Sequence, residues 1–363
     1  MSSRLSAASA GPATDWIASL SPWPEEFGLE RMRALLERLG HPERRFPAIH
    51  VVGTNGKSTA TRTIAALLRA EGRRAGAYTS PHVSGWSERI WVDGRQADFE
   101  RAVARVRADA EALGATQFEV LTAAALTEFA AREVDVAVVE AGLGGRLDAT
   151  NVVDAAVVLL TNVSLEHTEV LGDTTEQIAG EKLAVAHAAR VVVLPDNEYA
   201  ELVPKSAEIV TGDERTAAEI FLGREIHAVT PEVRLPGRLE RLGRELRDGA
   251  HTPAGTAWLR ERIDEPVEAI VASILADKDV DGMLRDLASL SGRFIATQST
   301  SPRALPAAEL ADRANEHFPT VETEPDPHEA LARARGSTSG LILVTGSLYL
   351  LANLAEAEEQ RVR

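Results

Sequence analysis

The sequence predicts an α/β protein in which a domain with a mostly parallel sheet is followed by a second, smaller α/β domain. Predicted strands and helices alternate along the chain, which is the order that a parallel sheet with helices on both faces requires. Two of the strands, at 134–139 and 155–161, are continuous apolar runs rich in valine, as strands buried on both faces usually are. The alternation breaks near 231–243, and we expect domains at 1–238 and 239–363.

The bulk composition restricts the possible partners. The chain has 363 residues, enough for two domains, and a formal net charge of −16, so we expect neither a nucleic acid nor a membrane surface as a partner. It has no cysteine, which excludes disulfides, thiol catalysis and zinc–thiolate sites and agrees with a cytoplasmic location. Residues 1–14 are predicted to form a loose tail without the apolar core of a signal peptide. We expect a monomer.

The chain is organised around a loop at 51–59, which reads VVGTNGKST and lies between a predicted strand at 48–52 and a predicted helix at 60–70. This arrangement points several backbone N–H groups and a helix N-terminus at one spot, which suits a phosphate. Lys57 brings a positive charge to that spot, and the hydroxyl of Ser58 suits Mg²⁺. The first domain is therefore expected to be of the P-loop type.

Polar side chains follow the buried strands, at the edge of the sheet where ligands bind in this class of fold. Glu140 directly ends one strand, and is either a ligand of Mg²⁺ beside a bound triphosphate or a solvated residue. His167 follows the next strand, and is either structural or a partner of Glu140 in one site. Arg146 and Asp148 flank a Gly-Gly turn, where they either bind an amino-acid substrate or pair with each other.

Four further residues have uncertain roles on the sequence alone. Lys182 lies in the middle of a predicted helix, where its spacing predicts an exposed lysine. In the second domain, Asp248 is either an acceptor for a ribose hydroxyl or the N-cap of the helix that follows, and His251 is placed to touch a phosphate. Arg238, in a Pro-Gly-Arg turn, is either a charge stabiliser for phosphoryl transfer or a hinge residue that faces solvent.

Taken in order, the motifs resemble the folylpolyglutamate synthase/dihydrofolate synthase family of the Mur ligase superfamily. The run GLGGRLDATN at 142–151 is very specific to this branch. The likeness extends over about residues 27–350, and the stretches that carry it are 50–57, 78–82, 88–90, 140–151, 166–167, 171–172, 174, 181–182, 236–238, 248–251, 277–279 and 345–347.

The resemblance implies an activity, a fold and a cofactor set. Members of this family join the amine of L-glutamate to a carboxylate of a folate or dihydropteroate acceptor. They use ATP and Mg²⁺, and an acyl phosphate is the intermediate. The implied fold is a P-loop-type central domain followed by a Rossmann-like C-terminal domain, with the site in a cleft between them that closes.

The resemblance also implies roles for particular residues. The implied metal ligands are Ser80, Glu140 and His167. The implied catalytic residues are Lys57, Lys182, His167 and Asp148, and Lys182 matches a lysine that the family carbamylates. The residues implied to bind the nucleotide are Gly53, Thr54, Asn55, Gly56, Lys57, Ser58 and Thr59, with Arg238, Asp248 and His251 from the C-terminal domain.

Four features depart from the family pattern. The loop reads Lys-Ser-Thr at 57–59, where this branch usually has Lys-Gly-Ser, Glu166 replaces the usual Asp, and Thr252 replaces the usual Asn. The stretch at 182–238 is short, and no Gln-x-x-Asn helix for the nucleotide base is found in it. Two rival hypotheses follow: a Mur-type ligase with another carboxylate and amino acid, or a catalytically silent nucleotide-binding protein.

Overall fold

The structure, a computed structural model, divides into two compact units. It describes residues 12–22, 24 and 26–361, and the side chains of these up to residue 355. Within this part, one unit contains 12–82 and 86–233, and the other contains 234–361 together with the short segment 83–85.

The first unit is built on an eight-stranded sheet. Its strands are β1 (Ala48–Val52), β2 (Ala75–Tyr78), β3 (Ile90–Val92), β4 (Arg95–Gln96), β5 (Val136–Glu140), β6 (Ala155–Leu160), β7 (Val191–Leu194) and β8 (Glu208–Thr211). Their spatial order is β4-β3-β2-β5-β1-β6-β7-β8. In this order the six strands β2-β5-β1-β6-β7-β8 are all parallel, whereas β3 and β4 are added by antiparallel pairing at the β2 edge. This confirms the predicted mostly parallel sheet.

Helices cover both faces of this sheet. They are α1 (Pro12–Ser19), α2 (Glu30–Arg38), α3 (Lys57–Ala70), α4 (Phe99–Ala104), α5 (Arg107–Leu113), α6 (Gln117–Ala131), α7 (Thr168–Leu171), α8 (Thr175–Leu183) and α9 (Glu214–Leu222). One buried cluster joins α3 and α9 to Ile49 and Val51 of β1, and another joins α1, α2, α4 and α6 to β5. The tail predicted at 1–14 lies mostly outside the described residues, but its end belongs to α1, so that part of the prediction is wrong.

The second unit has its own six-stranded sheet. Its strands are β9 (Glu240–Leu242), β10 (Glu245–Arg247), β11 (Val267–Ala272), β12 (Arg293–Ala296), β13 (Thr320–Thr323) and β14 (Leu341–Thr345). Its helices are α10 (Pro253–Arg260), α11 (Val280–Ala288), α12 (Ala307–Ala314), α13 (Pro327–Ser337) and α14 (Leu348–Arg361). The order is β13-β12-β11-β14-β10-β9 with only β9 antiparallel, which agrees with the expected Rossmann-like α/β arrangement.

The sequence analysis did not predict β4, β8, β9, β13, α7 or α9. β8 and β13 each lie at one edge of their sheet and are largely exposed, so neither has the apolar run that reveals a buried strand. Among the described helices, none is both long enough and apolar enough to cross a lipid bilayer.

A buried histidine lies on the central strand β1. His50 is fully buried, and its Nε2 lies 2.9 Å from Oγ1 of Thr150. The Thr150 hydroxyl donates its hydrogen to Asp148, so its oxygen accepts from His50, which is therefore the neutral Nε2–H tautomer. Burial, helped by the nearby charge of His187, lowers the pKa of His50 to about 3.

His50 should make the stability of the protein fall in mild acid. Between pH 6.5 and about 3 the unfolded chain binds a proton at this position and the folded chain does not, so unfolding is favoured as the pH falls. From pH 7 to pH 5 the wild type should lose about 2 kcal/mol more than His50→Gln does. Urea unfolding at both pH values measures this, with His227→Gln at an exposed position as the control. Equal losses in wild type and His50→Gln would contradict the assignment.

Candidate functional site

Four neighbouring parallel strands bring the predicted site residues to one edge of the first sheet. β2, β5, β1 and β6 lie side by side, and the Cα of Val51 on β1 is paired with that of Glu140 on β5. Because carboxyl ends of parallel strands meet at one edge, the phosphate loop after β1 lies beside the segments that follow β2, β5 and β6. The parallel arrangement of the four strands is therefore enough to bring these four segments together.

The phosphate loop depends on two glycines. Gly53 has φ of +146° and Gly56, the N-cap of α3, has φ of +79°, in a region that side chains disfavour. A Cβ on Gly53 would also lie 2.0 Å from Oγ1 of Thr161. The loop leads directly into α3, whose N-terminal N–H groups suit an anion.

The segment after β6 clamps the phosphate loop. The side-chain amide of Asn162 pairs with the backbone of Asn55, accepting from its N–H at 2.9 Å and donating to its carbonyl at 2.9 Å. Thr161 Oγ1 donates to the same carbonyl at 2.7 Å, and the Thr54 N–H donates to the Asn162 carbonyl at 2.9 Å. Sequence analysis gave Asn162 no role, although its place at a strand end was a usable signal.

Glu140 joins the phosphate loop to the segment after β2. Its side chain is 1% exposed. Its Oε1 accepts from the Ser58 hydroxyl at 3.0 Å, and its Oε2 accepts from the Ser80 N–H at 2.9 Å. The interpretation of Glu140 as a solvated residue at a strand end is therefore wrong.

The donor set around Glu140 suits a hard divalent cation. The Glu140 carboxylate, the Ser58 hydroxyl and the Ser80 carbonyl, which lies 3.4 Å from that hydroxyl, supply oxygen atoms of the kind that Mg²⁺ prefers. Within the described residues, no three His, Asp or Glu side chains are close enough to hold a metal together. Any cation here would therefore complete its coordination with hydroxyls, water or phosphate oxygens. His167, which is partly exposed with Nδ1 3.9 Å from Oε1 of Glu169, stays a predicted ligand only.

Two lysines donate to the same carbonyl of the phosphate loop. Lys57 Nζ donates to the carbonyls of Gly53 at 2.9 Å and Thr54 at 3.0 Å, and Lys182 Nζ donates to the Gly53 carbonyl at 2.8 Å. Lys182 is 1% exposed, so the expectation of an exposed lysine is wrong. The reason is local: the turn at Gly145 packs on α8 so closely that a Cβ there would lie 2.5 Å from the Lys182 carbonyl oxygen.

Lys182 forms a buried ion pair with Glu166, with 2.6 Å between Nζ and Oε1. Burial lowers the pKa of Lys182 to about 8, although the Glu166 charge opposes this. Burial alone would raise the pKa of Glu166, but the charges of Lys182 and Lys57 outweigh it and lower that pKa. At neutral pH both side chains therefore remain mainly charged, and the pair joins the segment after β6 to the phosphate loop.

Asp148 and Arg146 occupy the Gly-rich turn after β5 but have separate partners. The Asp148 carboxylate accepts from the N–H groups of Leu143 at 2.8 Å and Thr150 at 3.0 Å, and burial raises its pKa. Arg146 Nε donates to Glu181 at 2.8 Å instead of pairing with Asp148. Asp148 thus shapes the turn, and its predicted catalytic role remains a prediction.

Arg89 is a buried cation that sequence reasoning did not single out. Its Nε donates to Nδ1 of His82 at 2.9 Å, and its guanidinium hydrogen-bonds Tyr78. Burial, with the Arg89 charge, holds the pKa of His82 well below its usual value, so the imidazole is neutral. The charge of Glu140 also acts on Arg89 and favours its charged form. The only sequence signal was its position in the Glu88-Arg89-Ile90 motif.

The second unit holds the predicted nucleotide contacts close to one another. Asp248 accepts from the N–H groups of Leu239 and Ala250, both at 2.9 Å, and burial raises its pKa. The N-cap of α10 is Thr252, which accepts from Gly255, so the N-cap interpretation of Asp248 is wrong. His251 Nδ1 lies 2.8 Å from the Gly249 carbonyl. Arg238, half-buried beside Asp248, follows a Pro-Gly turn in which Gly237 has φ of +64°.

Comparison with known proteins decides the family. Residues 51–235 match the domain family described as "Mur ligase middle domain", and residues 237–348 match the family described as "Mur ligase, glutamate ligase domain". A dihydrofolate synthase/folylpolyglutamate synthase of Mycobacterium tuberculosis is 32% identical, over 85% of this chain and 84% of its own length. The chain belongs to the dihydrofolate synthase/folylpolyglutamate synthase family of Mur ligases.

Solved structures of this family have the same fold as the chain. Escherichia coli FolC in complex with DHPP and ADP is 26% identical, with a TM-score of 0.85 over 99% of this chain and 100% of that one. The Yersinia pestis folylpolyglutamate synthase/dihydrofolate synthase with Mn, AMPPNP and L-glutamate bound is 26% identical, with a TM-score of 0.83 over 96% and 98% of the two chains.

The structure of the stretch at 183–237 agrees with the absence of a Gln-x-x-Asn helix from its sequence. Its one α-helix is α9, whose sequence ERTAAEIFL contains neither Gln nor Asn. α9 packs against α3, with Ala217 and Ala218 buried in the same cluster as Ile64. The residues of α9 therefore support the first sheet and offer no amide side chain to a nucleotide base.

Asn162→Ala should weaken nucleotide binding by removing the clamp on Asn55. The loss of two hydrogen bonds leaves the phosphate loop less well ordered before binding, and the dissociation constant for Mg²⁺–ATP should rise about tenfold. Isothermal titration calorimetry measures this, with Asn197→Ala at an exposed position of the same unit as the control. Unchanged affinity in Asn162→Ala would mean that the clamp has no role in binding.

Proposed function

We propose that the chain is a ligase that joins L-glutamate to the carboxylate of a folate or dihydropteroate acceptor at the expense of ATP. A carboxylate oxygen of the acceptor attacks the γ-phosphorus, ADP leaves, and an acyl phosphate forms. The glutamate nitrogen then attacks the acyl carbon, phosphate leaves, and the amine loses a proton. One molecule each of ATP, acceptor and glutamate therefore gives ADP, phosphate and the amide.

The observation that carries this proposal is the contact of Ser58, Glu140 and Ser80 at the head of the phosphate loop. A phosphate loop alone indicates only a nucleotide. A buried carboxylate hydrogen-bonded to the loop serine indicates a site prepared for a metal–triphosphate. The ordered family motifs and the two matched ligase domains then favour transfer to a carboxylate acceptor.

The two lysines on the Gly53 carbonyl provide charge for the triphosphate. Lys57 Nζ donates only to carbonyls of its own loop, those of Gly53 and Thr54, among the contacts given above. Phosphate oxygens can replace these two carbonyls as acceptors when the triphosphate binds. Lys182 is held more firmly, since its side chain is buried and paired with Glu166. Lys182 therefore supplies a fixed positive charge, whereas Lys57 follows the γ-phosphoryl group.

We propose that Glu140, Ser58 and Ser80 would hold Mg²⁺, with His167 as a further ligand. When bound, the cation would neutralise charge that develops on the transferring phosphoryl group. Glu140 orients the Ser58 hydroxyl and the Ser80 backbone, so the oxygen ligands are positioned before the nucleotide arrives. This preorganisation lowers the reorganisation that the reaction itself requires.

The segments after β5 and β6, the second of which includes α7, are suited to an acceptor with a flat aromatic ring. Three of their apolar side chains are unusually exposed, namely Leu147, Leu165 and Val170. The ring of Phe118 lies directly under Gly142, where a Cβ would come within 2.5 Å of it. Exposed apolar side chains of this kind suit the flat face of a pterin-type acceptor.

The remaining expectations complete the proposal. We propose that Arg238, Asp248 and His251 bind the nucleotide. Asp148 also contributes to catalysis, because its carboxylate holds the Gly-rich turn after β5 against which the acceptor binds. The protein acts as a monomer in the cytoplasm, and its partners are the small-molecule substrates.

Phosphate release tests the proposed reaction. With ATP, Mg²⁺ and L-glutamate, release should depend on adding dihydropteroate or tetrahydrofolate, and mass spectrometry should find the acceptor with glutamate attached. Reactions without acceptor, or with D-glutamate, are the controls. If nucleotide binds but no acceptor of this class stimulates release, the proposal is wrong, and a panel of other carboxylates would then test a Mur-type ligase of different specificity.

Glu140→Gln should lower turnover by at least about 100-fold, because the amide keeps the shape of the side chain but loses the charge that holds the metal. Steady-state kinetics measures the loss, and circular dichroism checks the fold. Glu37→Gln, at an exposed position of α2, is the matched control and should behave as the wild type. Near-normal turnover in Glu140→Gln would remove Glu140 from the metal site.

A further inference from the structure

A chain of buried hydrogen bonds connects the central strand of the first sheet to the Gly-rich turn after β5. It runs from Nε2 of His50 on β1 to the Thr150 hydroxyl, 2.9 Å away, and from that hydroxyl to Oδ1 of Asp148. All three side chains are buried. We propose that His50 acts through Thr150 to hold Asp148 as a carboxylate, and that this keeps the turn in the conformation to which the folate-type substrate binds.

The direction of the hydrogen bonds supports this role for His50. Within the part of the chain that the structure describes, the hydrogen-bond partners of Thr150 Oγ1 are His50 and Asp148. Because the oxygen of the hydroxyl receives the N–H of His50, its single hydrogen is left for Asp148. A hydroxyl that accepts one hydrogen bond also becomes a stronger donor in the next. His50 therefore strengthens the bond that favours the ionised form of Asp148.

The cost of His50 to the fold indicates that the sheet itself does not need it. The other residues of β1 are apolar and fully buried. Nδ1 of His50 is also buried and, among the described residues, has no hydrogen-bond partner. A buried acceptor without a donor destabilises the folded state, so an apolar residue of similar size would serve the strand at least as well. The hydrogen bond to Thr150 is what an apolar residue could not supply.

Asp148 needs this support because burial raises its pKa and so favours the protonated form. The Thr150 hydroxyl makes the largest of the contributions that lower this pKa again. Smaller contributions come from the backbone N–H groups of Leu143, Thr150 and Gly142. The strongest bond that keeps Asp148 ionised is therefore the one that His50 polarises.

The other titratable groups that face this chain belong to neighbouring elements. The charge of Asp148 acts on Lys182 of α8, and this attraction favours the carboxylate. Tyr78 of β2 also faces Asp148, and burial raises the pKa of Tyr78, so this phenol stays neutral. His187 acts on His50 by its charge. All three groups are the same in every variant at position 50, so comparing such variants isolates the effect of His50.

The carboxylate acts on the turn rather than on the phosphate loop. Oδ2 of Asp148 accepts from the Leu143 N–H at 2.8 Å, and the backbone N–H of Asp148 donates to the Gly145 carbonyl at 3.1 Å. Asp148 thus ties the two sides of the turn together. The effect on the folate-type substrate rests on the proposed function, whereas the ionisation of Asp148 does not.

Carbon-13 NMR of the full chain, labelled at its aspartate carboxyl groups, tests the ionisation without any substrate. Asp148→Asn identifies the resonance. The titration midpoint of Asp148 should move to higher pH in His50→Leu, which has no donor. It should keep its wild-type value in His50→Gln, whose amide nitrogen lies about where His50 has Nε2. An unshifted midpoint in His50→Leu would overturn the proposal, and His50→Met makes the same comparison if His50→Leu does not fold.

A double-variant cycle tests whether His50 acts through Thr150. Thr150→Val, which has no hydroxyl, should move the midpoint of Asp148 to higher pH, and Thr150→Ser, which keeps the hydroxyl, should not. Adding His50→Leu to Thr150→Val should then have no further effect, because the link is already broken. A further shift of the same size as in His50→Leu alone would show that His50 acts by another route, against the proposal.

Steady-state kinetics and calorimetry test the consequence for binding. In His50→Leu the KM for dihydropteroate or tetrahydrofolate should rise about tenfold, the effect of weakening one hydrogen bond to a charged group. The dissociation constant for Mg²⁺–ATP should stay unchanged, and His50→Gln should restore the wild-type KM. Equal losses for both ligands would indicate a merely structural role and contradict the proposal. Failure of the proposed function would appear separately, as a wild type that turns over no folate-type substrate while the NMR result holds.

Discussion

The buried carboxylate of Glu140 is the constraint on which the site depends. A carboxylate at the end of a buried strand is costly unless donors surround it, and the donors found here are the Ser58 hydroxyl and the Ser80 N–H. These two contacts fix the start of α3 and the segment after β2 relative to β5. The hydrogen bonds that make the burial of Glu140 tolerable therefore also assemble oxygen ligands for a cation beside the phosphate loop.

The phosphate loop is held from its other side by the segment after β6. Asn162 pairs with Asn55, and Glu166 reaches the Gly53 carbonyl through Lys182. The loop is thus tied to two neighbouring segments of the same sheet edge, and little ordering is left for the nucleotide to impose. Preorganisation of this kind saves the free energy that ordering a mobile loop would cost on binding.

Most of the fold and the position of the site could be predicted from the sequence, because both depend on local patterns. The apolar strands, the glycine loop and the polar residues at strand ends are each visible within a few positions. The partners of side chains were harder to predict. Helical spacing placed Lys182 on the surface, since nothing in the sequence reveals that the Gly145 turn packs on α8. For Asp248 a better signal existed: Thr252 followed by Pro253 is a typical N-cap and first helical position.

The site must bind a triphosphate although the chain carries a net charge of −16. At physiological ionic strength the field of exposed charges is screened beyond about 8 Å, so distant acidic residues contribute little. Buried groups are screened much less, and those at this edge include the cations Lys182 and Arg89. The N-terminus of α3 and the partly buried Lys57 add to the same local field. Burial of these few cations at the phosphate loop therefore lets an acidic protein attract an anionic substrate.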